Sequence, residues 1–158
     1  MKRRAFLFAA LAVVLGACAT KYGDMGFTGG VTAEPVMTDV YRIKARGNAF
    51  TQSASIQDFV LLKAAETTIA AGGTHFLIVN SRNQTQVITE QDPGTLNTQR
   101  FGGARITTYT PGSTYNIVKP GQDTLVRVLR LRPGEPPPAG ALAADDLART
   151  LGARLKPS

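Results

Sequence analysis

An α+β fold is predicted for this chain: a small, mostly antiparallel sheet with one central helix packed on one face, plus a C-terminal amphipathic helix. Three stretches carry that expectation. Ser55–Gly73 places Ile56, Phe59, Val60, Leu62, Ala64, Ala65 and Ile69 at helical spacing. Asp39–Gly47 alternates Tyr41, Ile43 and Ala45 with Arg42, Lys44 and Arg46, the period of a strand with one wet face. Thr74–Asn80 holds the run Phe76-Leu77-Ile78-Val79, which reads as a central strand buried on both faces.

The helix has punctuation at both ends. Ser55 is the expected N-cap, with Asp58 three residues on completing a capping box in the first turn. Gly72-Gly73 supplies the stop, because glycine takes the left-handed conformation without steric cost. Lys63 and Glu66 are expected to face water as a weak pair. Further strands are expected at Thr85–Thr89, Arg105–Thr110, Tyr115–Val118 and Thr124–Leu131. Glu90–Gly103, with Asp92-Pro93-Gly94 and Gly102-Gly103 as turn signals, reads as a long exposed loop.

The first 17 residues read as an address. Lys2, Arg3 and Arg4 precede the apolar run Ala5–Leu15, which is too short to span a bilayer. Leu15-Gly16-Ala17-Cys18 resembles a bacterial lipoprotein lipobox, with Gly16 where Ala or Ser is more usual. The resemblance implies a diacylglyceryl thioether on Cys18, cleavage before it, and acylation of the new amine. By resemblance to the sorting rule of such lipoproteins, Ala19 in the next position, rather than Asp, implies the outer membrane, facing the periplasm, over the inner. Arg3-Arg4-Ala5-Phe6-Leu7 also resembles a twin-arginine export motif, and the general secretory route stays open beside it.

Cys18 is the one cysteine, so no internal disulfide forms. Loss of the leader would leave 141 residues, enough for one domain, and would take the net charge from +7 to +4. That balance needs no nucleic acid to explain it, and no aromatic residues interleave with the cations as stacking platforms. Anionic envelope polymers are the natural counter-charge.

The expected organisation is a signal peptide over 1–17, a lipidated tether over 18–38, an α+β domain over 39–131, a Pro-rich spacer over 132–140 and a C-terminal helix over 141–158. Tyr22, Met25 and Phe27 in the tether suggest partial packing on the domain. In the terminal helix Leu147, Leu151 and Leu155 form one stripe, offered as a partner-docking face.

The pattern Tyr41-Arg42-Ile43, Gly47-Asn48, Leu61-Leu62-Lys63-Ala64-Ala65-Glu66, Gly73 and Phe76-Leu77-Ile78 resembles a family of small proteobacterial envelope lipoproteins. The match covers Asp39–Asn80. It implies a location and an α+β domain, and it brings no activity or site residues.

Catalytic constellations are not visible. His75 is the sole histidine, which excludes multi-histidine metal sites, and no second soft ligand accompanies it. Asp58 and Glu66 stand about 80° apart around a helix and about 12 Å along it, too far for a retaining carboxylate pair. No serine lies in a Gly-x-Ser-x-Gly elbow. No metal, cofactor or catalytic residue is therefore expected. The most suggestive feature is the cationic strand face Arg42, Lys44 and Arg46, which Arg127, Arg130 and Arg132 extend if the two strands are neighbours.

The expectation is a non-enzymatic structural or interaction module, with lipopolysaccharide, peptidoglycan or an envelope protein as candidate partners beside the membrane. Anion contacts would fall to Arg42, Lys44, Arg46 and Arg127. One alternative is an accessory or sensor subunit that docks on a membrane complex through its C-terminal helix. A less favoured one is a hydrolase built on His75 and an acid.

Overall fold

The computed structural model describes residues 18–156, so the expected leader lies outside the described residues. In chain order the elements are β1 (Gly30–Met37), β2 (Val40–Arg46), α1 (Ser53–Ala70), β3 (His75–Asn83), β4 (Gln86–Gln91), β5 (Thr95–Phe101), β6 (Ala104–Thr110), β7 (Thr114–Lys119), β8 (Gly121–Leu129), β9 (Leu142–Ala143) and α2 (Ala144–Leu155). The α+β class is as expected. The main sheet has the order β1-β2-β8-β3-β9, every pairing in it antiparallel. β2 and β3 run parallel with β8 between them, so β2-α1-β3 is a split crossover. Among the described residues no helix is long and apolar enough to cross a membrane.

The core lies between one sheet face and α1. Val31, Ile43, Ala45, Phe76 and Val126 join Ile56, Phe59, Val60, Ala64 and Ala65 in a single cluster. Full burial of side chains this size contributes about 1.5–3 kcal/mol each. Ala64 and Ala65 let α1 lie close on the strands. Thr68 completes the buried face, whereas Ile69, expected there, is exposed.

The helix stop works as anticipated. Gly72 takes φ 71°, its N–H reaches Ile69 O, and Gly73 N–H reaches Thr68 O, the paired bonds of a Schellman motif. The start is different. α1 opens at Ser53 behind Gln52, without a side-chain cap. Asp58 instead pairs with Arg154 of α2 at 2.7 Å, a tertiary contact that local spacing does not encode.

Three other expectations are corrected. The tether is largely folded: β1 pairs along β2, and Thr20 is buried. β3 is not the central strand, a place held by β8. Only Phe76 of its apolar run is buried, because helices cover one face alone and a bulge interrupts the register between Ile78 and Asn80. Glu90–Gly103 is mostly strand: β5 pairs with β6 through the two-residue turn Gly102-Gly103, where Gly102 takes φ 58°.

Val87–Val118 forms a compact unit of its own, made of the ribbons β4-β7 and β5-β6. Thr98 and Thr107 face each other with hydroxyls 2.9 Å apart. Glu90 accepts a hydrogen bond from Tyr115 Oη, which raises the phenol's pKa.

The C-terminal helix is not free. Leu151 is buried, and Leu147 and Leu155 pack against the main core, so the stripe offered for docking is occupied by this chain's own fold. Arg132–Gly140 has neither helix nor strand, but β9 beyond it pairs with β3, making it a connection inside one unit.

Glu66, expected to face water beside Lys63, clasps three segments instead. It accepts from Tyr22 Oη at 2.6 Å and from Lys156 Nζ at 2.5 Å, and Lys156 also lies 5.0 Å from the Tyr22 ring centre. Lys63 pairs loosely with Asp24 at 3.7 Å. Burial pushes the Glu66 carboxyl up, but the bonds from Lys156 and Tyr22 outweigh it and the net pKa is lowered. Burial, then the bond to Glu66, drives the Tyr22 phenol far above its ordinary range.

A carboxylate with a lowered folded pKa stabilises fully above its ordinary range and loses that contribution as pH falls through the lowered value. Glu66→Gln is therefore expected to cost about 1–2 kcal/mol at neutral pH, discounted for partial exposure. The gap from the native protein should close as pH falls below the ordinary carboxyl value of 4.5 and through the lowered one, in urea melts taken across pH.

Candidate functional site

The second face of the main sheet carries the charges. Strand alternation fixes this: Ile43 and Ala45 point into the core, so Arg42, Lys44 and Arg46 point away from it. β8 is the neighbour of β2, with Lys44 opposite Asp123, Arg42 opposite Leu125 and Val40 opposite Arg127. On the far side of β8, Asp123 faces Arg82 and Leu125 faces Asn80. Arg42, Lys44, Asn80, Arg82, Gln84 and Asp123 line a shallow groove of about 370 Å³.

Electrostatics sort these cations into two sets. Lys44 Nζ bonds Glu34 Oε1 at 2.7 Å, across the β1–β2 pair. Arg46 lies 2.7 Å from Asp123 Oδ1, at an angle unsuited to a hydrogen bond, and donates instead to the carbonyls of Ala45 and Gln122. Asp123 thus stands among Arg46, Lys44 and Arg82. Arg42, Arg82 and Arg127 have no carboxylate partner among the described residues.

The expected set therefore divides. Arg42, Lys44, Arg46 and Arg127 do share the open face, but Lys44 and Arg46 are engaged internally. Arg130 lies elsewhere, bonded to Asp39 Oδ1 at 2.7 Å and to Ala71 O at 2.8 Å. Arg82 and Asn80 were missed. The signal was present in their own alternation, hidden by the bulge between Ile78 and Asn80.

Elsewhere the chemistry is sparse. His75 Nδ1 lies 3.0 Å from Thr74 Oγ1. Among the described residues no group of three or more His, Cys, Asp or Glu is placed to hold a metal. A second cavity of about 230 Å³, between the start of α1 and the sheet, is lined by Ser53, Gln57, Ser81, Asn83, Thr85 and Gln122, without a charged group. Cys18 is exposed, and its carbonyl accepts from Asn48 Nδ2 at 2.7 Å.

The molecule is thus defined as an α+β domain with one apolar sheet face under helices and one open, cationic face. Compared with family models, curated proteins and solved structures, the chain matches none.

Asp123 is the internal counter-ion of the face. Asp123→Asn is expected to lower stability by about 1–2 kcal/mol while strengthening retention on phosphocellulose, read by thermal melts and salt elution.

Proposed function

We propose that this protein is a lipid-anchored, periplasm-facing module of the outer membrane, non-enzymatic, that contacts anionic envelope polymers through its open sheet face. The observation that supports this best is the trio Arg42, Arg82 and Arg127, displayed on a rigid sheet without carboxylate partners. Guanidinium groups held this way suit paired donation to phosphate or carboxylate oxygens. The lipobox resemblance at Cys18 supports the anchor, since two or three acyl chains hold a protein firmly at a bilayer where one does so marginally. The resemblance to small envelope lipoproteins agrees with that location.

Replacing Arg42, Arg82 and Arg127 together by glutamine is expected to weaken binding to lipopolysaccharide micelles or peptidoglycan sacculi about tenfold, roughly 0.5 kcal/mol for each exposed contact. Unchanged affinity for both polymers would remove the proposal. Labelled palmitate should appear on the native chain and not on a Cys18→Ala variant.

A second reading rests on the unit Val87–Val118. Its ribbons expose Leu96, Phe101, Ile106 and Tyr109, and two-stranded ribbons are marginally stable alone in water. An envelope protein pairing with their free edges would cover both the apolar side chains and the open backbone groups. Deleting Val87–Val118 should abolish a specific crosslink in living cells while polymer binding persists. A crosslink pattern indifferent to the deletion would exclude this partner role.

A further inference from the structure

Cys18 does not hang on a leash. Asn48 Nδ2 holds its carbonyl, and two residues later Thr20 N–H donates to Thr51 Oγ1 at 3.0 Å. Thr20 Oγ1 donates to Thr28 O at 2.7 Å and accepts from Asn48 N–H at 3.1 Å. Asn48 Oδ1 takes the Phe50 N–H at 3.0 Å and the Thr51 hydroxyl at 2.9 Å. The chain next to the cysteine is thereby locked to the corner where β2 leads into α1.

The same corner carries large apolar side chains in water. Gly26 and Gly29 exchange backbone hydrogen bonds of 2.9 and 3.2 Å, a tight turn with Phe27 and Thr28 at its tip. Phe27 is fully exposed and Phe50 is 69% exposed, within two residues of Thr28 and Asn48 respectively. Met25, Phe27, Asn48 and Lys119 line one open groove, and Lys21 is exposed nearby in sequence. Nothing in the core requires two phenylalanines here. Aromatic rings with flanking lysines are the composition of a surface that sits at the headgroup level of a bilayer.

We infer that Phe27 and Phe50, with Met25 and Lys119, form a membrane seat: the bilayer that holds the acyl chains of Cys18 also receives these rings. The inference rests on the anchor proposed above. On that proposal the chain meets the bilayer at Cys18, and the Asn48 bond ties that residue to this corner. The rings enter about 5–10 Å, to the boundary between headgroups and acyl chains. The domain is then held in one orientation, by three points rather than one.

The chain has no tryptophan, so single reporters are available. Full-length protein carrying Phe27→Trp, Phe50→Trp or Ile69→Trp would be purified from envelopes and reconstituted in vesicles of phosphatidylethanolamine and phosphatidylglycerol with brominated acyl chains. Ile69 is exposed at the opposite end of α1, about 25 Å along the helix from its start. The reporters at 27 and 50 should emit at shorter wavelength and be quenched, and the one at 69 should not. Palmitate present on Cys18, with the reporters at 27 and 50 no more quenched than that at 69, would overturn the seat and leave the anchor standing. Absence of palmitate would overturn both.

Discussion

The sheet has two faces and the helices cover one. α1 lies across β1, β2, β8 and β3, and α2 lies against α1. Val31, Ile43, Phe76 and Val126 are consequently fully buried on one side, while the other must be made of groups that tolerate water. That requirement accounts for the alternation in β2, for the exposed tail of β3, and for the cations that define the open face. Were α2 to cover the second face instead of lying on α1, the same arginines would be buried without partners, at prohibitive cost.

A small polar clasp keeps the helical layer in place. Tyr22, Glu66 and Lys156 come from the start, the middle and the end of the described chain, and each touches the other two. Tyr22 also packs edge-on against Phe59, with ring centres 5.6 Å apart. The clasp turns both ends of the described residues into parts of the domain. What reads in sequence as a tether and a detachable helix is, in three dimensions, the two sides of one closure around α1.

Some of this was legible and some was not, for identifiable reasons. The helix, its glycine stop and the β2 alternation depend on local periodicity and were read correctly. β6 is expected as a strand at Arg105–Thr110, but β5 falls inside the expected loop, because Leu96 and Phe101, the apolar residues of Thr95–Phe101, lie on opposite faces and set no period. Strands that bury nothing lack the apolar period by which strands are recognised. Asp58 was assigned to a cap because the spacing allowed it, yet Arg154 lies 96 residues away in sequence and no local rule names that partner. On the site side, Arg42 and Arg127 were visible as members of alternating strands. Arg82 was hidden by a bulge that shifts the alternation by one residue.

By itself the sequence determined the α+β class, the place of the main helix and the chemical character of the exposed strand face, because each follows from composition or from a period of a few residues. The tertiary structure alone decided which strand is central, which cations remain without partners, and that Cys18 is bonded directly to the folded domain. Those are matters of pairing between distant segments, and a linear pattern carries the residues that pair but not the geometry that selects among them.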